Sequence, residues 1–311
     1  MHPPHKRAFV LATLAALLWS PHPYLLESLR QGGVPLLVAQ FHFVFWPAVA
    51  FAIALFLSGR GPALLAFRGQ ETHVMALAAA GGYGFWVLRA VASEAVAGAP
   101  TRALLCAAPL LMAVLSILTS ERPDRRVTLV LLAGLAGSVL LVVGQSRGTG
   151  VATHVVRGSL SAFGAAACWA AFSLLVRPLM REEDQALPVA ALVTGIGAVC
   201  LFVSCLSTGE NVLRISMPQL WGLIFAGLFT VGLVMLLWLK SIGSAPVTLA
   251  APFWYLAPVL GVAWALVSGW RVSLWWTLSG VALVLLSLRT VLSGRQQTPL
   301  TLADVIRSSS G

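Results

Sequence analysis

Leu17-Leu18-Trp19-Ser20 lies within an apolar run covering roughly residues 8 to 28, and 150 residues later Ala167-Cys168-Trp169-Ala170 lies within another, covering roughly 158 to 179. Three further landmarks follow in the same order. Ala108-Pro109-Leu110-Leu111 returns as Ala257-Pro258-Val259-Leu260 at an offset of 149. Trp86-Val87-Leu88-Arg89 near the end of one run is answered by Trp238-Leu239-Lys240 near the end of another, and Gly134 to Leu141 by Leu278 to Leu285. Leu- and Ala-rich helices resemble one another by chance, but chance does not keep four landmarks in one order, so the chain reads as two copies of one unit.

Each run approaches ~20 residues, the length at which a helix rising about 1.5 Å per residue crosses a hydrocarbon core of about 30 Å. Ten such runs lie at 8–28, 35–58, 73–92, 96–119, 127–145, 158–179, 188–207, 218–241, 246–269 and 273–292, five to each copy. An odd number of spans sends the second copy into the bilayer from the opposite side. The expected fold is an all-α integral membrane protein of ten transmembrane helices in two inverted five-helix repeats, 8–145 and 158–292. A short N-terminal segment, 1–7, is expected in the cytoplasm, and a polar tail, 293–311, closes the chain.

Composition agrees. Hydrophobic residues make up 59% of the 311 positions and charged residues 10%, where a soluble domain carries about 25% charged residues. The breaks between runs are short polar turns such as Gly59-Arg60-Gly61-Pro62, Glu121 to Arg126 and Arg181-Glu182-Glu183-Asp184. A nucleic-acid binder would gather its basic residues on one face, whereas the net charge of +10 is spread over these turns, so no nucleic-acid partner is expected. With the N-terminus inside, thirteen of the twenty Lys and Arg residues fall on the cytoplasmic side. The expectation is therefore a multi-pass protein of the cytoplasmic (inner) membrane with both termini inside. Lys6 and Arg7 precede the first run as they would in a signal peptide, but no cleavage site and polar mature domain follow, so the run is read as a span. Cys106, Cys168, Cys200 and Cys205 lie inside apolar stretches with no paired Cys or Cys/His spacing, and are read as packed thiols. No metal or cofactor is expected.

The stretch from Gly158-Ser159-Leu160 to Cys168-Trp169-Ala170-Ala171-Phe172-Ser173-Leu174-Leu175-Val176-Arg177 resembles the opening helix of the second repeat in the drug/metabolite transporter superfamily, EamA type. Tyr255-Leu256-Ala257-Pro258-Val259, Ser120-Glu121-Arg122-Pro123 and Trp238-Leu239-Lys240-Ser241-Ile242-Gly243 are similar to the same family. The resemblance covers residues 8 to 292 and implies a bacterial inner-membrane carrier of small molecules, with a central cavity lined mainly by helices one, three, four, six, eight and nine. Members that move aromatic amino acids look similar from Pro246 to Pro258, yet others on the same scaffold move other amino acids or nucleoside-like metabolites. A shared fold does not choose among them.

None of the ten Asp and Glu residues falls near a bilayer midplane. A carrier of organic cations, or one driven by protons through a carboxylate, would hold an acid in its pathway. The expected cargo is accordingly neutral, zwitterionic or anionic, an amino-acid-like metabolite with aromatic ones included; drug or toxic-metabolite efflux is the alternative. A membrane-embedded enzyme would need a cluster of intramembrane acid, base or nucleophile groups, and no catalytic residues are assigned. A channel would gather copies of a pore helix rather than two inverted halves. The expected partners are the lipid bilayer and the small-molecule substrate, with the protein a monomer or weak homodimer.

The candidate cavity residues are Trp19, His22, His42, Tyr83, Trp86, Arg102, Trp169, Trp254 and Tyr255. Trp19 and Trp169 sit about a dozen residues into equivalent helices, where a shared cavity wall is one reading and helix packing the other. Tyr83, Trp86, Trp254 and Tyr255 could extend an aromatic lining for a planar side chain, and packing explains them equally. Arg102 follows Gly98-Ala99-Pro100-Thr101 at a helix start, where amides and a guanidinium could hold a carboxylate; otherwise it anchors the helix at the outer interface. His22 stands between Pro21 and Pro23, which either break the helix beside a cavity or end the span. His42, between Phe41 and Phe43, reads as a hydrogen-bonded core residue or a proton relay, and Arg89 as a basic group at the end of the third run. Pro109 and Pro258 remove a mid-helix donor and are expected to kink or gate their spans. Trp270, Trp275 and Trp276 are expected in the interfacial belt.

Overall fold

The structure is a computed structural model that describes residues 3–95, 99–118, 125–146, 154–181 and 185–293; the expected turns at 119–124 and 182–184, Gly98, and the tail 294–311 lie outside the described residues. Among the described residues nine helices are long and apolar enough to cross a membrane. They are α1 (His5–Gln31), α2 (Leu36–Leu57), α3 (Glu71–Ala95), α5 (Arg125–Gly144), α6 (Val155–Leu175), α7 (Ala186–Ser207), α8 (Met217–Ser244), α9 (Val247–Val267) and α10 (Leu274–Ser293). The shorter apolar helix α4 (Arg102–Ser116) completes a ten-helix membrane protein. One departure from all-helical structure is a two-residue antiparallel ladder, Gln145–Ser146 against Arg271–Val272, which ties the end of α5 to the start of α10.

The helices pack as two related halves. α1 lies against α8 as α6 lies against α3, while α2 packs on its counterpart α7 and α5 on its counterpart α10. The last pair closes on Gly137 and Gly280: a Cβ on either would lie within 3.0 Å of the other helix's backbone, so small residues set the spacing. The relation extends to backbone defects. α3 carries a π-helical turn at Ala78–Gly84 and α8 one at Gly227–Leu233, the same offset of 149 that relates Pro109 to Pro258. π-turns insert a residue into the helical ladder and recur at functional sites.

Proline breaks the helices where the sequence suggested. α1 is interrupted by a turn at Ser20–Pro21 and resumes at His22. α4 is interrupted at Cys106–Ala107, just before Pro109, and α9 runs as 3₁₀ helix over Ala251–Tyr255, just before Pro258. In both cases the irregular turn falls where the proline ring would clash with the carbonyl four residues earlier. At the N-terminus helix starts at Pro3, so Lys6 and Arg7 are helical and exposed. Pro3 and Pro4 permit this because the first-turn amides of a helix have no internal partner to lose.

Candidate functional site

The breaks in α1, α4 and α9, the π-turn of α8 and the stretch of α3 that follows its own π-turn converge on one cavity between the halves. Its centre is an aromatic box. Trp254 of α9 meets Trp19 at 6.0 Å and 87° and its repeat counterpart Trp169 at 5.8 Å and 86°, so one indole stands edge-on between the two related ones. Phe85 and Trp86 of α3 complete the wall, Trp86 lying 6.1 Å from Trp19 and Phe85 5.4 Å from Trp169. Edge-to-face rings at such spacings add stabilisation beyond their buried area, which holds the box in shape. The Trp254 Nε1–H is buried without a hydrogen-bond partner.

From the box the cavity runs to the surface at Glu27 and Arg30, on the side that carries the α1–α2 and α9–α10 connections. Glu27 and Arg30 pair through both carboxylate oxygens, at 2.9 and 2.6 Å. Arg102 lies on the way, 4.4 Å over the ring of Trp270 and 5.8 Å from that of Tyr24. The opposite side is closed. Phe9 stacks on Phe253 with ring centroids 4.9 Å apart, and Ser241 Oγ donates to the Ala8 carbonyl at 2.8 Å.

Behind Trp19 lies a polar chain in an otherwise apolar wall. His22 is fully buried and stacks on Trp19 at 4.5 Å and 8°. Thr230, in the α8 π-turn, donates its hydroxyl proton to the Ala226 carbonyl at 2.7 Å, so its oxygen is left to accept from His22 Nδ1 at 2.7 Å. That assigns the proton to Nδ1 and leaves Nε2 a bare acceptor, which takes an N–H from the Arg89 guanidinium. Arg89 is 3% exposed, lines the cavity, and lies 5.3 Å from the Trp19 ring.

Of the residues singled out from sequence, the cavity brings together Trp19, Trp86, Arg102, Trp169, Trp254 and Tyr255 with Pro109 and Pro258. Tyr255 is pinned by donating to the Leu131 carbonyl at 3.0 Å, its ring lying over Gly134 where a side chain would collide. His22 stands one layer behind the lining. His42 and Tyr83 lie elsewhere, His42 Nε2 against the Val212 carbonyl at 2.9 Å and Tyr83 Oη against Ser204 Oγ at 3.0 Å. Trp270 departs from the belt expectation: it is 8% exposed and faces Tyr24 and Arg102, whereas Trp275 is 80% exposed. Arg89, read from sequence only as a basic group at the end of the third run and not among the candidate cavity residues, is part of the lining.

Ten apolar helices in two related halves around a cavity open to one side are the structure of a membrane transporter. Residues 156–293 match the EamA-like transporter family. The chain is 28% identical over 272 residues to the aromatic amino acid exporter YddG of Ancylobacter novellus, an alignment covering 84% of this chain and 88% of that one. A crystal structure at 21% sequence identity superposes with a TM-score of 0.77, covering 91% of this chain and 96% of its own, and shares the fold. The family match covers the second half and the likeness to the exporter runs over both halves, and together they support a membrane transporter of EamA type.

Proposed function

We propose that this transporter is a secondary carrier of small amino-acid-like metabolites with aromatic side chains, working by alternating access in the cytoplasmic membrane of a bacterium with both termini inside. The observation that carries the reading is the aromatic box: Trp19 and Trp169, equivalent in the two halves, flank Trp254 at the centre of the cavity. A planar side chain fits among these rings, and Arg102 and Arg89 supply positive charge towards a carboxylate. The similarity to an aromatic amino acid exporter supports the same class.

Access alternates, in this reading, when the halves rock about the box. The layer of Phe9, Phe253 and the Ser241–Ala8 contact parts while the side bearing Arg102 closes, with the irregular turns before Pro109 and Pro258 as flexing points. Drug efflux on the same scaffold is less well supported, because a lining with Arg30, Arg89 and Arg102 against Glu27 repels the cationic drugs such a carrier meets. The test is uptake into proteoliposomes of a panel of amino acids, nucleosides and drugs. Tryptophan, phenylalanine or tyrosine are expected to enter saturably and to compete with one another. Uptake of none of the panel, or uptake equal in the wild type and in the Trp19→Ala and Trp169→Ala variants, overturns the reading.

A further inference from the structure

The charge of the cavity is one-sided in a way that distinguishes substrates with the same ring. Its described lining carries three guanidiniums, on Arg30, Arg89 and Arg102, and one carboxylate, on Glu27. That carboxylate is held by Arg30 through both oxygens and by Gln31 at 2.8 Å, so its charge is already balanced by a guanidinium before a substrate ammonium arrives. Arg89 stands differently. It is nine-tenths buried at least, at 3% exposure, and its neighbours are the neutral His22 and the face of Trp19. A guanidinium carries five N–H donors and no acceptor, and one goes to His22. A charge kept out of water with donors in hand and no counter-ion among the described residues is costly on its own and gains most from an anion delivered to it.

Resting on the cavity reading above, we infer that Arg89 is the carboxylate seat of the aromatic box, and that the preferred cargo is an aromatic monocarboxylate without an amino group, such as an arylpropionate, over the zwitterionic amino acid. The relay behind Arg89 fixes the seat. Thr230 gives its proton to the helix, takes that of His22 Nδ1, and so turns a bare Nε2 towards the guanidinium, which orients it without neutralising it. An incoming carboxylate meets a fixed fork of donors beside an aromatic face, the arrangement in which arginine binds planar anions best. An ammonium two bonds away meets the same positive field with Glu27 already engaged, and weakens the fit.

Four indoles separate the alternatives: indole-3-propionate, tryptophan, tryptamine and indole-3-propanol, which share a ring and carry a carboxylate, both charges, an ammonium and neither. Binding to the purified full-length protein in detergent, measured by isothermal titration calorimetry, is expected to rank the propionate first, tryptophan second and tryptamine last. Arg89→Gln is expected to weaken the propionate about tenfold or more while leaving the propanol unchanged, which also reports that the box is intact. Arg89→Lys, which keeps the charge and loses the fork, is expected to fall between. Tryptophan binding as tightly as the propionate or tighter, with transport of amino acids preserved, overturns the monocarboxylate preference and leaves the carrier reading standing. Binding of none of the four overturns both. Should Arg89→Gln fail to fold, the wild-type ratio of propionate to propanol decides alone: a ratio near one removes the carboxylate seat.

Discussion

At equivalent points the two halves hold opposite chemistry. In the first half, the side chain following the α1 break is His22, which reaches the α8 π-turn at Thr230 and is met by Arg89. In the second half the equivalent side chain is Phe172, which fills the α3 π-turn at Gly81, where an added Cβ would lie 2.5 Å from its ring. At the offset of 149 that relates the two π-turns, the position of Arg89 is held by Trp238, the tryptophan that sequence alone sets against Trp86; its Nε1–H donates to Ser173 Oγ at 3.0 Å, both fully buried. The repeat thus preserves the π-turns and the helix contacts, though not the α1 break, since α6 runs unbroken from Val155 to Leu175, and it uses the residues at those positions differently: one half packs and the other presents charge. In the proposed carrier the related halves would give alternation its two equivalent ends, and their differing residues give the cavity a polar wall and an apolar one.

The largest effect on transport is expected from Trp19→Ala, set against Trp169→Ala. Trp19 carries the stack on His22 and the face under Arg89 as well as its ring contacts, so its loss removes about 1–2 kcal/mol of aromatic and cation–π interaction beyond that lost at Trp169. In uptake assays Trp19→Ala should lower transport efficiency about tenfold more than Trp169→Ala. Equal losses would place both in the same structural role. Next in size, Gly81→Val forces Phe172 out of the α3 π-turn and should destabilise the protein by about 1–3 kcal/mol, read as a lowered Tm in detergent. The double variant with Phe172→Ala should recover most of it.

Thr230→Val and Ser173→Ala each leave one buried N–H without an acceptor, on His22 and Trp238 respectively, and should each cost about 1–3 kcal/mol of stability. They should part in transport. Thr230→Val, by loosening the relay that orients Arg89, should raise KM, while Ser173→Ala should leave KM where it is. The smallest effect is expected at Trp275, 80% exposed on α10, where Trp275→Ala should change stability by no more than about 0.5 kcal/mol.

Much of this organisation is legible in the sequence, because apolar run length and the order of landmarks are written residue by residue. Ten spans, the repeat, the equivalence of Trp19 and Trp169 and the breaks at Pro21, Pro109 and Pro258 all follow from local rules. The π-turn at Ala78–Gly84 leaves only a trace, in Gly81, Gly82 and Gly84, and that at Gly227–Leu233 still less. Arg89 was hidden for a physical reason. A span counted by length ends near residue 92 and leaves Arg89 as a basic group in its last turn, whereas α3 continues to Ala95 and the α1 break folds His22 and Trp19 over the guanidinium. Trp270 was hidden by a turn. Gly269, at a φ of 70°, reverses the chain after α9 and brings the indole back onto Tyr24, away from the exposed Trp275 five residues on. Both are consequences of contacts distant in sequence, which no periodicity encodes.

The central claim, one aromatic site reached from each side of the membrane in turn, is tested most directly by counterflow in proteoliposomes. Vesicles holding the protein and preloaded with excess unlabelled tryptophan are diluted into a trace of labelled tryptophan. A carrier with a single alternating site accumulates label transiently above its equilibrium level before it decays, and that overshoot should be much reduced in Trp19→Ala. Label that rises monotonically to equilibrium, with no overshoot, would mean an open pathway rather than an alternating one and would contradict the account.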